Sequence, residues 1–159
     1  MEKNRVPVSG IRDSICGFDF TYIEPINVYG ATFGNACFVG PFVEIQSKVK
    51  VGDNVRIQSH SFICSNVTIG NDSFIGHGVM FINDRFSDGE RANGNQKKIE
   101  PTVIGARVLV GSNSTILPVT ICDDVVIGAG SVVTRNVLEP GIYAGNPARK
   151  LRAKPEVSK

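Results

Sequence analysis

Large apolar residues recur at every sixth position over the middle of this chain. They are Phe33, Val39, Ile45, Val51, Ile57, Ile63, Ile69, Ile75 and Phe81. With 42% of the chain apolar, nine such residues in a row arise by chance about 4 times in 10,000 for a given phase. A flat strand alternates about every two residues and a helix repeats near 3.6, so neither alone gives a period of six. The period therefore predicts short strands, each followed by a turn.

Two further places in each group of six follow a rule. The residue after the large apolar one is often glycine, at Gly34, Gly40, Gly52, Gly70 and Gly76. The fifth place is small or β-branched, at Cys37, Val43, Val49, Val55, Ser61, Val67, Ser73 and Val79. We expect the first and fifth residues to point inward and the glycine to lie where a side chain would obstruct the turn. Three such sides close a triangular coil of about 18 residues, and parallel strands stack successive coils about 4.8 Å apart.

Four of the repeats carry a family resemblance. They are Ile69-Gly-Asn-Asp-Ser-Phe, Ile75-Gly-His-Gly-Val-Met, Val110-Gly-Ser-Asn-Ser-Thr and Ile127-Gly-Ala-Gly-Ser-Val. They resemble the hexapeptide-repeat acyltransferases, over roughly residues 28–152. The resemblance implies an all-β, left-handed parallel β-helix of about five triangular coils that assembles as a homotrimer. The left hand comes from the family alone, because parallel crossover connections are otherwise right-handed in most cases.

The repeat divides the single domain that we expect from a chain of 159 residues. Residues 1–27 do not keep the register and are expected to form an N-terminal cap that pairs with or covers the first coil. Residues 28–138 form the β-helix, and residues 139–159 form a C-terminal cap and basic tail. The insert 87–103 precedes the return of the pattern at Ile104, which predicts a long corner loop with a functional role.

Composition and charge weigh against several kinds of partner. The net charge of +2 comes from 17 basic and 15 acidic residues without a basic block in the repeats, so nucleic acid is a poor candidate. No apolar run is long enough to span a membrane, and we expect a soluble cytoplasmic protein without a membrane partner. The cysteines lack paired metal-ligand spacing, so we expect them to pack as small apolar residues and predict no metal site.

The two histidines fall in neighbouring places of stacked repeats. His60 and His77 occupy the fourth and third places of their repeats, one short of a full coil apart. We expect both to point outward at one corner, either as catalytic candidates or as ordinary exposed residues. Asn83 and Asp84 occupy the next corner, directly before the loop, where they serve in catalysis or in a turn. Adjacent corners are about 16 Å apart, so the two pairs can meet only across a subunit boundary.

The segment Phe81-Ile-Asn-Asp-Arg-Phe resembles a stretch of the hexapeptide transferases that acetylate nucleotide-linked amino sugars. This resemblance implies acetyl transfer from acetyl-CoA to a sugar amine, in bacterial surface-polysaccharide biosynthesis, at a site between subunits. The family's following proline-arginine pair is replaced by Arg85 and phenylalanine, so the identity of the sugar stays open.

The implied chemistry needs a proton acceptor. An amine must lose a proton before it attacks a thioester, for which a histidine suits best, with Asp84 as rival or orienting partner. The sequence leaves open which of His60, His77 and Asp84 accepts the proton. No serine or cysteine stands in a convincing nucleophile arrangement, so no acyl-enzyme is expected.

The same superfamily binds the pantetheine arm of coenzyme A in a groove between neighbouring helices, through backbone groups of the later coils. The matching positions are Gly111, Ser112, Gly128 and Ala129. The segment Tyr143-Ala-Gly-Asn-Pro-Ala-Arg-Lys resembles the family's terminal basic motif. It implies that Asn146, Pro147, Arg149 and Lys150 belong to the coenzyme site, with the two basic residues facing the phosphates. Without a ligand, the motif would be a basic cap.

Three other functions fit parts of the pattern. The acceptor could be another small amine or a hydroxyl compound. A zinc enzyme like the γ-type carbonic anhydrases, which share this fold, needs three histidine ligands for each metal, and this chain has two histidines. A non-catalytic scaffold would need neither the long corner loop nor the terminal basic motif.

Overall fold

The six-residue repeat folds into strands of mostly two or three residues separated by turns. The computed structural model, which describes residues 10–155, stacks these strands into three sheets that form the sides of a column. The chain visits the first, second and third sheet in turn and then begins the next coil. The expected all-β fold is confirmed as a parallel β-helix, consistent with the left-handed class. Among the described residues the one helix is a short 3-10 helix, Gln96–Lys98.

The strands of residues 10–155 are assigned to the sheets as follows. The first sheet holds Gly10–Arg12, Asn27–Tyr29, Glu44–Ile45, Phe62–Ile63, Met80–Phe81, Thr115–Ile116 and Val132–Val133. The second holds Thr32–Phe33, Lys50–Val51, Val67–Ile69, Thr102–Ile104 and Thr120–Ile121. The third holds Thr21–Tyr22, Phe38–Val39, Arg56–Ile57, Phe74–Ile75, Leu109–Val110, Val125–Ile127, Gly141–Gly145 and Ala148–Arg152. The last two strands of the third sheet are antiparallel and form a hairpin.

The column has about seven coils, so the expected number of five was wrong. At the N-terminal end Gly10 pairs in parallel with Asn27, and Thr21 pairs with Phe38. At the other end Gly141–Gly145 pairs with the preceding coil. These end strands lack the regular hexapeptide pattern, but pairing between parallel strands uses the backbone and does not require it. The repeat therefore undercounts the coils at both ends.

The predicted inward register is confirmed by burial. The apolar residues of the period from Phe33 to Phe81 are at most 5% exposed, and so are their successors from Ile104 to Val133. Fifth-place residues are buried as well, and the buried serines find partners: Ser61 Oγ donates a hydrogen bond to the Gly76 carbonyl over 2.9 Å. Apolar side chains thus fill the column along its whole length, and their removal from water is its main stabilisation.

The repeat's glycines are needed for space between coils. A Cβ added to Gly70 would lie 2.6 Å from the Gly105 carbonyl carbon of the next coil. The left-handed backbone lies two residues further on, in the fourth place, at φ 55° for Asn54, 63° for His60 and 58° for Asp72. Asparagine, aspartate and histidine tolerate that conformation better than most residues.

The three edges of the column, where the chain turns between sheets, carry different side chains. The histidine edge, between the third and first sheets, comprises residues 40–43, 58–61, 76–79, 111–114 and 128–131. The loop edge, between the first and second sheets, carries the long segment 82–101. The ladder edge, between the second and third sheets, comprises residues 34–37, 52–55, 70–73, 105–108 and 122–124.

The ladder edge is built for stacking. Asp53 Oδ1 accepts from the Asn35 amide of the coil below over 2.6 Å, and Asn71 Oδ1 accepts from the Asp53 amide over 3.0 Å. Each side chain therefore satisfies a backbone donor that the turn leaves without a carbonyl partner. This edge has its polar groups committed to the fold.

We predict that neighbouring substitutions in one strand will differ sharply in stability. Ile69 is 1% exposed, whereas Thr68 faces solvent. Ile69→Asp should cost more than about 3 kcal/mol, because it places a carboxylate in the apolar column. Thr68→Asp should stay within about 0.5 kcal/mol of the original chain. Thermal unfolding followed by circular dichroism compares the two, and similar melting temperatures would contradict the inward register.

Candidate functional site

The histidine edge brings most of the predicted site residues into one column. Backbone hydrogen bonds of 2.8 to 3.0 Å join its coils, from the amides of Gly78, Asn113 and Gly130 to the carbonyls of Ser59, His77 and Ser112. His60, His77, Ser112 and Ala129 therefore follow one another on consecutive coils. The two candidate histidines and the candidate coenzyme positions share one surface of a single chain.

His77 has an oriented ring on this surface. Its side chain is exposed, and its Nδ1 lies 2.9 Å from Ser59 Oγ on the coil below. When Nδ1 carries the proton, Ser59 accepts it in a hydrogen bond and Nε2 presents a lone pair. Ser59 was not predicted as a partner from the sequence, although the spacing of 18 residues between Ser59 and His77 is the length of one coil.

His60 is held in a different way. Its ring stacks on Phe42 of the preceding coil, with ring centroids 4.8 Å apart and an angle of 26° between the planes. Both residues occupy the left-handed turn position, at φ 63° and 59°. Stacking fixes the plane of the His60 ring without engaging a ring nitrogen. The geometry therefore favours His77 over His60 as an oriented proton acceptor.

Asn83 and Asp84 lie on the loop edge, where their side chains hold structure. Asn83 Nδ2 donates to Ser65 Oγ of the coil below over 2.9 Å. Asp84 Oδ1 accepts from the Phe86 amide over 2.9 Å, and its other oxygen accepts from the Ala92 amide. The carboxylate thus organises the start of the inserted segment. The structure does not bring this pair to the histidines within one chain, since the two pairs occupy different edges.

The inserted loop has a defined structure of its own. Lys98 Nζ lies 2.6 Å from an Asp88 carboxylate oxygen, and Ala92 within the loop is only 7% exposed. Arg85 ties the loop to the column, because it pairs with Glu100 at 3.3 Å and donates to the carbonyl of Pro118. These contacts make the loop a fixed projection beside the loop edge.

The four candidate coenzyme positions on the histidine edge divide into two kinds. The amides of Gly111 and Gly128 are already used between coils, in bonds of 2.8 and 2.7 Å. A Cβ added to Gly111 would lie 2.4 Å from the Ala129 nitrogen, so this glycine is needed for space. The amides of Ser112 and Ala129 donate to no carbonyl within residues 10–155. Of these four positions, Ser112 and Ala129 therefore offer backbone donors that the fold does not use, on consecutive coils about 4.8 Å apart.

The C-terminal hairpin carries the remaining candidates. Asn146 and Pro147 form its exposed turn. Arg149 and Lys150 line a cavity of about 200 Å³ between the hairpin and the last coil, together with Arg135. Arg135 was not predicted from the sequence, because it lies in the last regular repeat and belongs to no motif.

One of these cations already has a partner. Lys150 Nζ lies 2.8 Å from Glu139 Oε2, and the hydrogen bond raises the pKa of Lys150 and lowers the pKa of Glu139. Arg149 instead donates to the carbonyl of Ala148 over 3.0 Å. An anion entering the cavity would therefore compete with Glu139 for Lys150, whereas no carboxylate of the described residues pairs with Arg149 or Arg135.

Two further findings concern residues 10–155. No three histidine, cysteine, aspartate or glutamate side chains in that range lie close enough to hold a metal ion. No helix in it is long and apolar enough to cross a membrane.

Comparisons with known proteins find the same repeats in sequence. Residues 30–65 match the family described as bacterial transferase hexapeptide (six repeats), and residues 101–135 match the hexapeptide repeat of succinyl-transferase. The bifunctional protein GlmU of Nitratidesulfovibrio vulgaris is 32% identical over 130 residues, which is 77% of this chain and 28% of that protein. The chain spans 11% and 37% of the length of two other curated relatives.

Comparisons of structure find the same fold. A variant of AntD, an N-acyltransferase from Bacillus cereus in complex with dTDP and coenzyme A, superposes with a TM-score of 0.70 at 22% identity, covering 94% of this chain and 84% of that one. A variant of perosamine N-acetyltransferase from Caulobacter crescentus, in complex with CoA and GDP-perosamine, has a TM-score of 0.64 at 19% identity and covers 90% of this chain and 57% of that one. At these identities the likeness concerns the fold.

We predict that the Asp84 carboxylate keeps the inserted loop folded. Asp84→Ala removes the acceptor of two backbone amides, each bond to a charged group contributing about 1.5 kcal/mol, so trypsin should cut after Arg91 or Lys97 at least about tenfold faster. Asp72→Ala is the matched control on the ladder edge, where Asp72 accepts from the Asn54 side chain. Mass spectrometry of timed digests identifies the cuts. Unchanged cleavage in Asp84→Ala would mean that the carboxylate does not restrain the loop.

Proposed function

We propose that this chain, a hexapeptide-repeat protein of the β-helix fold, is an acetyl-CoA-dependent N-acetyltransferase that acts on the amino group of a nucleotide-linked amino sugar. The observation that carries the proposal is the histidine edge, where the oriented ring of His77 lies one coil from the Ser112 amide, which donates to no backbone carbonyl of the described residues. AntD and perosamine N-acetyltransferase, which share the fold, are an N-acyltransferase and an N-acetyltransferase with coenzyme A bound. The proposed role is in the synthesis of bacterial surface polysaccharides.

In the proposed reaction His77 is the general base. Its Nε2 takes a proton from the sugar ammonium, while Ser59 Oγ accepts the Nδ1–H and stabilises the imidazolium that forms. The free amine attacks the thioester carbonyl, so that a C–N bond forms and the C–S bond breaks. As the attacking nitrogen becomes an amide it loses its second proton, which the departing coenzyme A thiolate takes up, and His77 releases its own proton to solvent. An outward amide at the glycine-rich edge is the candidate donor to the developing oxyanion.

The state of the cysteines supports direct transfer without a thiol nucleophile. Burial raises the pKa of all four thiols, and that of Cys64 to about 12. A thiol with a raised pKa is protonated at neutral pH, and the thiolate is the reactive form.

Coenzyme A would lie along the later coils of the histidine edge. The amides of Ser112 and Ala129 are free to bond the pantetheine arm, whose amide groups repeat along its length, and Gly111 and Gly128 let the neighbouring coils of this edge pack closely. Arg149 and Lys150, with Arg135 beside them, would face the phosphates by charge pairing. Asn146 and Pro147 would border this end of the site. Because acetyl-CoA is a cytoplasmic metabolite, the cytoplasm is the location that we propose.

The outward faces of the sheets support assembly as a homotrimer with shared sites. The two sheets that meet at the histidine edge carry apolar outward residues, at Phe38, Phe74, Leu109, Val126 and Ile142 on one and Phe62, Met80 and Val132 on the other. Leu109 and Met80 are 41% and 42% exposed. The remaining sheet presents mainly threonine and lysine. Rows of exposed apolar side chains mark interaction surfaces. Packing through these faces would set the histidine edge of one protomer beside a neighbouring protomer. We propose that Asn83 and Asp84 of that neighbour bind the sugar together with the histidine edge.

The test of the function is release of coenzyme A from acetyl-CoA with a panel of nucleotide-linked amino sugars. We expect turnover with at least one of them, and His77→Ala should lower kcat by about 10² or more. Added imidazole should restore part of that loss, whereas binding of coenzyme A and the mass of the assembly should not change. If no amino sugar supports release, the proposed activity is wrong. If His77→Ala keeps its turnover, another group is the base.

A double-mutant cycle tests the role of Ser59. Ser59→Ala should lower kcat about tenfold with little effect on KM, because it removes one hydrogen bond of about 1.4 kcal/mol from the base. Ser59→Thr should recover most of that loss. In the His77→Ala background Ser59→Ala should have almost no further effect, since the two residues act as one unit. An equal loss in both backgrounds, or a mass increase of one acetyl group on Ser59 after incubation with acetyl-CoA alone, would contradict the positioning role.

A further inference from the structure

Phe42 is an unusual residue for its position on the histidine edge. Its side chain is 58% exposed, and its backbone adopts φ 59°, a conformation that bulky side chains rarely take. Burial in the column does not account for a phenylalanine there. Its ring stacks on His60 at 4.8 Å, so the two rings form a flat, exposed surface, which we call the ring pair.

The ring pair and the candidate coenzyme positions lie on opposite sides of His77 along the column. His60 lies one coil before His77 and Phe42 lies two coils before it, which is about 10 Å along the column. The candidate coenzyme positions lie on the opposite side of His77, from Ser112 to Asn146. If acetyl-CoA reaches His77 along the later coils, the earlier coils of the same edge stay open to the nucleotide-linked amino sugar.

We propose that the Phe42–His60 ring pair binds the base of the nucleotide that is linked to the acceptor sugar, by stacking. The inference rests on the proposed function and adds a place for the nucleotide. Aromatic side chains bind the faces of nucleobases of every kind, so the surface is suited to a planar base without selecting one by hydrogen bonds. With the sugar amine at His77, ribose and two phosphates span the two coils that separate the amine from the base.

A cation stands on the same side of the column. Arg56 projects from the strand that leads to His60, and its guanidinium lies 4.6 Å from the centre of the Phe38 ring. Among the described residues Arg56 has no carboxylate partner within ion-pair distance. It is therefore available to the diphosphate between the base and the sugar.

The experiment compares two acceptors, a nucleotide-linked amino sugar and the same amino sugar without its nucleotide. Phe42→Ala should raise KM for the nucleotide-linked acceptor about tenfold, with less than about a twofold change in kcat, and should leave the rate with the free sugar unchanged. Phe42→Trp should keep KM within about threefold of the original value. Phe18→Ala is the matched control, because Phe18 is 78% exposed and its carbonyl accepts from the amide of Ala36 on the ladder edge, away from the ring pair. It should change neither reaction.

Each other outcome overturns the proposal. An unchanged KM in Phe42→Ala would show that the ring does not bind the nucleotide. An equal loss with both acceptors, together with a smaller mass by light scattering, would assign Phe42 to a contact between subunits.

A separate measurement keeps this inference distinct from the proposed activity. If the original chain releases no coenzyme A with any amino sugar, the activity fails, and calorimetric titration with UDP, dTDP and GDP then tests the ring pair alone. At least one of these nucleotides should bind, and about tenfold more weakly to Phe42→Ala. If none binds, or if binding is equal in the variant, the ring pair is not a nucleotide site.

Discussion

Contact between stacked side chains inside the column is the interaction on which the rest of the structure depends. Inward residues such as Ile57 and Ile75 pack on one another one coil apart, and parallel strands hold that spacing near 4.8 Å. The same stacking orders the outside, because each turn residue lies over the one about 18 positions earlier. The inserted segment does not disturb this order, since Val67–Ile69 and Thr102–Ile104, which lie on the coils before and after it, still pair in register.

The three edges share one backbone geometry but leave different groups free. On the ladder edge Asp53 and Asn71 accept backbone amides, and on the loop edge Asp84 does the same for the loop. A ligand that bound to the ladder edge would have to replace bonds which the fold already makes. The histidine edge keeps the ring of His77 and the amides of Ser112 and Ala129 available. Because these groups are spread over several coils, the edge suits a long ligand such as a coenzyme.

The features that were predictable from the sequence are those that repeat along it. The inward positions followed from the spacing of the apolar residues, and the stacked partners Ser59–His77 and Phe42–His60 were implicit in the coil length. The number of coils was not predictable, because residues 10–22 and 141–145 pair through their backbone without the glycine pattern. The loop was not predictable in detail either, since Asp84, Arg85 and Lys98 find their partners through contacts that no repeat encodes. The position of Arg135 beside the hairpin was not predictable for the same reason, since no repeat encodes that contact.

The irregular coils at the two ends of the column support the two ends of the proposed site. His77 lies in the fourth of about seven coils, so surface extends from it in both directions. The Phe42 amide donates to the Pro25 carbonyl over 2.6 Å, which means that the irregular first coil holds the strained turn carrying the exposed ring. At the other end the hairpin brings Arg149 and Lys150 beneath the last coil. A column trimmed to its regular repeats would keep His77, the proposed general base. It would lose the first coil, which supports Phe42, and the hairpin, which carries Arg149 and Lys150.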